Sequence, residues 1–115
     1  MRTSATKWVE VCSVKEIPAR GAIRVEFVNH TVAIFRTFDN NVRALEDRCP
    51  HKGGVLSAGI VHGDCVTCPL HNWVISLESG EAQGEDEGQV EKFNVKVKDD
   101  TVFLETPNAI ALSVA

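Results

Sequence analysis

Cys49-Pro50-His51-Lys52-Gly53-Gly54 and Cys68-Pro69-Leu70-His71-Asn72-Trp73 are the segments on which the reading of this chain turns. Each opens on a cysteine followed by proline, and each offers a histidine two or three residues further on. Sixteen residues separate His51 from Cys68. Proline stiffens a tight turn, so each segment reads as a short loop presenting one thiol and one imidazole. The surrounding region, residues 47–89, is rich in glycine and proline and holds three of the four cysteines.

Outward from these loops the chain alternates in the manner of β-strands. Ile23, Val25 and Phe27 interleave with Arg24 and Glu26, a period of two. Residues 7–11, 31–38 and 42–46 read as further strands, with Asn29-His30 and Asp39-Asn40-Asn41 as turns. Phe93, Val95 and Val97 alternate with Lys92, Asn94, Lys96 and Lys98, and Asp99-Asp100 turns that strand into 102–105. Ser13-Val14-Lys15-Glu16 fits a capping box, but Pro18 limits it to one helical turn. No long helical period occurs. The expectation is an all-β antiparallel sandwich or small barrel. Residues 1–115 form one domain, with a β framework at 7–46 and 90–105, a loop-rich metal-binding subdomain at 47–89 and a tail at 106–115.

Composition bounds the function. A chain of 115 residues with 43% apolar content suits one folded domain. Its net charge of −4 argues against nucleic acid as a partner. No apolar run reaches the length of a membrane span, and residues 1–10 lack a secretory h-region. Cysteines in a chain of this kind suit metal binding in a reducing, cytoplasmic compartment better than disulfides.

Two loops carrying one thiolate and one imidazole each suit a binuclear iron–sulfur centre, with Cys49 and Cys68 on one iron and His51 and His71 on the other. The chance of this spacing arising from the composition is roughly one in two thousand. Zinc is the competing reading. Cys65-Val66-Thr67-Cys68 is a C-x2-C spacing, and a zinc site would use Cys49, His51, Cys65 and Cys68, leaving His71 unexplained. Cys65 otherwise reads as a small buried strand residue and Cys12 as a core cysteine. His30 and His62 read as solvated turn residues, Trp73 as packing beneath the metal loops, and the lysines of 92–98 as a solvated strand face.

The C-x-H and C-x2-H pair resembles the Rieske [2Fe–2S] domain. That resemblance implies one [2Fe–2S] cluster per chain, with the imidazoles on the outer iron. Neutral imidazoles in place of thiolates raise the reduction potential. The respiratory members of the family carry an additional disulfide, whose positions correspond here to Gly54 and Leu70. Where they place hydroxyls on the cluster sulfurs, this chain has Trp73 and Ile75. A midpoint near the low end of the Rieske range, on the order of −150 mV, is expected.

A longer stretch is similar to the small subunits of NAD(P)H-dependent assimilatory nitrite reductases. It runs from Glu46-Asp47-Arg48-Cys49 through Asn72-Trp73 to Gly84-Glu85-Asp86-Glu87-Gly88. The resemblance implies a large partner subunit carrying flavin and sirohaem, and a non-catalytic redox role for this chain. The carboxylates Glu81, Glu85, Asp86, Glu87 and Glu91 form either a solvated loop or a docking surface. Lys52, Gly53, Leu56 and Leu70 are the other candidate contacts. The alternatives are a free Rieske ferredoxin serving a ring-hydroxylating dioxygenase and a zinc-stabilised interaction module.

Overall fold

The computed structural model describes residues 6–27, 30–49, 54–69, 72–84, 88–107 and 113–114. Their regular structure is β throughout, apart from single 3-10 turns at Val14–Glu16 and Leu56–Ala58. The long strands β1 (Thr6–Ser13), β2 (Gly21–Phe27), β3 (His30–Arg36) and β4 (Val42–Glu46) come first. Three short strands follow, β5 (Ile60–His62), β6 (Cys65–Thr67) and β7 (Val74–Ser76). The chain closes with β8 (Lys92–Phe93), β9 (Val95–Lys98), β10 (Thr101–Pro107) and β11 (Ser113–Val114). All pairings are antiparallel, in sheets ordered β1-β10-β9, β11-β2-β3-β4-β8 and β5-β6-β7. This is the all-β antiparallel fold expected from the sequence. Among the described residues no helix is long and apolar enough to cross a membrane.

Strand β3 explains the layering. Val32, Ala33, Ile34 and Phe35 are all fully buried. Successive side chains of a strand point to opposite faces, so both faces of the sheet must be covered. Val32 and Ile34 pack with Val25, Val42 and Ala44 against Val102 and Leu104 of β10. Ala33, Phe35 and Leu45 point the other way, against Val61, Val66 and Ile75 of the small sheet. The five-stranded sheet is therefore the middle layer, with one apolar cluster on each side.

Local chemistry sets the joints. Ser13 Oγ accepts from the Lys15 N–H at 3.1 Å, and Glu16 Oε1 accepts from the Ser13 N–H at 2.8 Å. The expected capped turn thus forms, as a 3-10 turn, before Pro18. Asp99 and Asp100 adopt φ of 52° and 65°, the left-handed pair that a two-residue hairpin demands.

Three expectations are corrected. Residues 92–98 are not one strand: the chain leaves the middle sheet after Phe93 and enters the β1-β10-β9 sheet at Val95. Asn94 makes the crossing, where its Nδ2–H donates to Glu105 Oε1 and its carbonyl accepts from the Glu105 N–H, both at 2.9 Å. His30, expected in a turn, is the first residue of β3 and pairs with Phe27. His62, likewise expected in a turn, closes β5 and pairs with Cys65. The lysines of 92–98 are exposed as expected, and Lys96 Nζ also sits 4.4 Å from the centroid of the Trp8 ring.

Candidate metal centre

Both cysteine loops are closed in the same way. The Cys49 N–H donates to the Gly54 carbonyl at 2.7 Å, and the Cys68 N–H donates to the Trp73 carbonyl at 2.7 Å. Each cysteine thus bonds to the carbonyl five residues ahead and pins the mouth of its loop. The loops emerge from different supports. The first leaves the end of β4, where the Asp47 N–H continues the ladder to the Thr31 carbonyl at 2.8 Å. The second joins β6 to β7, whose pairs Thr67↔Val74 and Val66↔Ile75 lie directly beneath it.

Cys49 and Cys68 are 1% and 0% exposed and belong to one apolar cluster with Leu56, Val66 and Ile75. Trp73 packs against that cluster, the supporting position expected of it. None of the four cysteines is in a disulfide. His51 and His71 lie outside the described residues, as do Lys52, Gly53, Leu70 and the carboxylates at 85–87. The two described members of the predicted ligand set fit a cluster. Both are buried thiols, and a buried thiolate in apolar surroundings is costly without a compensating cation.

Cys65 is placed differently. Alternation along β6 sets Val66 on the buried side and Cys65 with Thr67 on the half-buried side, while Cys68 joins Val66 in the core. Burial pushes the Cys65 thiol above its ordinary pKa, and the neighbouring Asp64 carboxylate pushes it further. Cys65 lies on the opposite face of β6 from Val66, apart from the apolar cluster that holds Cys49 and Cys68, and that placement disfavours it as a zinc ligand beside them. His62 is exposed as expected, and its Nε2 lies 2.6 Å from Thr67 Oγ1 across the β5–β6 hairpin. Cys12 is half-buried at the edge of the other apolar cluster.

The acidic segment is more ordered at its base than a solvated loop requires. The Val90 N–H donates to the Gly80 carbonyl and the Ala82 N–H to the Gly88 carbonyl, at 2.8 and 2.9 Å. Ala82 also bridges to Ile75, so the arm extends the small sheet beyond β7.

One residue beside the site carries no signature in the sequence. The Asp47 side chain is wholly buried. Its Oδ1 accepts from the Ser57 N–H at 2.7 Å, and its Oδ2 accepts from the Ser57 hydroxyl at 2.6 Å. Arg24 Nε stands 2.8 Å from Oδ2 but makes no hydrogen bond of good geometry, so that contact is Coulombic.

A family model for the Rieske [2Fe-2S] domain matches residues 7–98. The chain belongs to the Rieske [2Fe–2S] domain family. It accordingly carries a Rieske-type [2Fe–2S] cluster. A ferredoxin subunit of the 3-phenylpropionate/cinnamic acid dioxygenase from Photorhabdus laumondii is 37% identical over 73 residues, covering 63% of this chain and 68% of that protein. A structure provisionally named a nitrite reductase NADPH small subunit has 29% identity and a TM-score of 0.76, covering 85% of this chain and 97% of that one. The complex of reduced oxygenase and oxidised ferredoxin in carbazole 1,9a-dioxygenase contains a chain with 26% identity and a TM-score of 0.75, covering 84% and 91%. The Rieske chain described here spans less than a fifth of the length of the first curated relatives it matches.

Proposed function

We propose that this Rieske protein is the electron-transfer small subunit of an NAD(P)H-dependent nitrite reductase, working in the cytoplasm beside a large flavin- and sirohaem-bearing subunit. The observation that supports this reading best is the likeness to a nitrite reductase small subunit over 97% of that chain. It agrees with the run from Cys68 to Trp73 followed by a Gly-containing acidic arm. In this reading Cys49 and Cys68 hold one iron within the apolar cluster, and His51 and His71 hold the other. Residues 47–89 act as the cluster-binding subdomain. When bound, the cluster takes up and releases one electron at a time. The chain's own residues keep the thiolates dry, through Leu56, Val66 and Trp73, and fix the two loop mouths by the Cys49 and Cys68 amides. No catalytic side chains are assigned to this chain, and nitrite is reduced on the partner.

A second reading has its own support in the likeness to dioxygenase ferredoxins. It makes the chain a free ferredoxin that delivers electrons to a ring-hydroxylating oxygenase.

Two measurements test these readings. Dithionite-reduced protein should give a rhombic Rieske EPR signal, which His51→Ala and His71→Ala abolish and Cys65→Ser leaves intact. A signal that survives either histidine change, or is lost with Cys65, would sink the ligand assignment. Affinity purification should then recover a sirohaem flavoprotein, with salt weakening the complex if the acidic arm docks. Recovery of an oxygenase instead would move the chain to the second reading.

A further inference from the structure

We propose that Asp47 is a positioning residue for the cluster. With Ser57 as its partner, it does for the Cys49 loop what a strand ladder does for the Cys68 loop. The inference rests on the ligand assignment proposed above. The Cys68 loop stands on regular pairing between β6 and β7. The Cys49 loop has no such ladder on its far side, because the chain after Gly54 enters the 3-10 turn Leu56–Ala58 instead of a strand. The Val55 residue that begins this turn makes no side-chain cap. Opposite the place where a ladder would continue stands the Asp47 carboxylate, two residues before Cys49. It takes both the backbone N–H and the hydroxyl of Ser57. The Cys49–Gly54 bond then lies nested inside the Asp47–Ser57 bonds. Arg24, reaching from β2, offsets the carboxylate charge and ties the clamp to the middle sheet. A carboxylate with no solvent exposure is retained at a desolvation cost, and here it makes two charge-assisted hydrogen bonds to one residue of the loop's return arm. The consequence is that the separation of Cys49 from Cys68, and so the geometry imposed on a shared iron, depends on Asp47 and Ser57.

The test compares wild type with Asp47→Asn, Ser57→Ala, Ser57→Thr and Thr37→Ala. Thr37 is a buried hydroxyl whose Oγ1 accepts the Asn41 N–H at the far end of the middle sheet. It therefore controls for general loss of stability. Three quantities are read: the g values of the reduced protein, the rate of iron release to a chelator, and amide exchange at Ser57. Ser57→Ala should release iron at least about tenfold faster, the factor carried by one hydrogen bond to a charged group, with shifted g values and a less protected amide. Ser57→Thr should restore all three. Asp47→Asn should resemble Ser57→Ala, and Thr37→Ala should leave the g values unmoved. Unchanged g values and iron release in Ser57→Ala would overturn the proposal, even if Asp47→Asn fails to fold. Equal acceleration by Thr37→Ala would overturn it as well, by reducing the effect to stability. A wild type without a Rieske signal would overturn the ligand assignment, and this inference with it.

Discussion

Gly59 is the point where the return arm of the first loop touches the support of the second, and Gly59→Ala should separate them. The residue follows the 3-10 turn with φ −82° and ψ −178°, a conformation open to any amino acid. The cost of a methyl group there is therefore steric alone. A Cβ at Gly59 would collide with the Thr67 carbonyl oxygen, well inside 3.0 Å, and would stand 3.0 Å from Val66 Cγ2 and 3.1 Å from the Leu56 carbonyl oxygen. Two of these three atoms are backbone and cannot rotate away. Thr67 immediately precedes Cys68, and Leu56 is in the 3-10 turn clamped by Asp47. Overpacking of this kind costs about 1–3 kcal/mol, and the paired backbone contacts place Gly59→Ala toward the upper end. Gly63→Ala is the matched control. Its φ is +56° with nothing within 4 Å of the added carbon, so it should cost only the left-handed strain of roughly 1 kcal/mol. Urea unfolding of both variants, together with iron release to a chelator below the transition, gives the comparison. Gly59→Ala should be the less stable and should release iron faster; Gly63→Ala should release it at the wild-type rate. A Gly59→Ala protein as stable as Gly63→Ala, with wild-type iron retention, would refute the steric argument.

Other consequences are more local. Burial, and secondarily the Glu16 carboxylate, raise the Cys12 thiol from 9.0 to about 11. The unfolded chain therefore loses this proton before the folded one does, so stability should fall as pH rises from about 9 to about 11. Cys12→Ser should flatten that slope in pH-dependent urea unfolding, and an unaltered slope would remove Cys12 as its source. Asp99 and Asp100 place two like charges in a turn that needs φ > 0 at both positions. Changing the pair to Asn-Gly should stabilise the protein by about 1 kcal/mol in the same assay, whereas destabilisation would mean that the aspartates make compensating contacts. Lys96→Met should cost about 0.5–1 kcal/mol through loss of the cation held over Trp8. No change, with Trp8 fluorescence also unmoved, would show that contact to be energetically neutral.

Several features were legible in the residues because the physics that produces them is local. The alternation of Ile23, Val25 and Phe27 with Arg24 and Glu26 marks a strand whatever its neighbours. The Ser13–Glu16 capping box closes within four residues, and the Asp99-Asp100 turn supplies its own left-handed backbone. The spacing of Cys49, His51, Cys68 and His71 sufficed to suggest the cofactor, since ligand type and loop length are sequence properties. Strands β5, β6 and β7 are three residues each, too short to display a period of two, and so 47–89 read as loop-rich, with a strand at Cys65, where it carries a three-stranded sheet.

What only the tertiary structure decided is what meets across the chain. The unbroken burial of 32–35 is intelligible once layers cover both faces of the middle sheet. Residues 92–98 alternate like one strand, yet Asn94 divides them between two sheets, because Glu105 of β10 captures its amide and carbonyl. Asp47 looks in sequence like one more carboxylate in an acidic chain. Its burial depends on Ser57, ten residues on, and Arg24, on another strand. Composition and periodicity report how each residue treats water and its immediate neighbours. The partner that makes a buried charge tolerable is chosen only when the whole chain has folded.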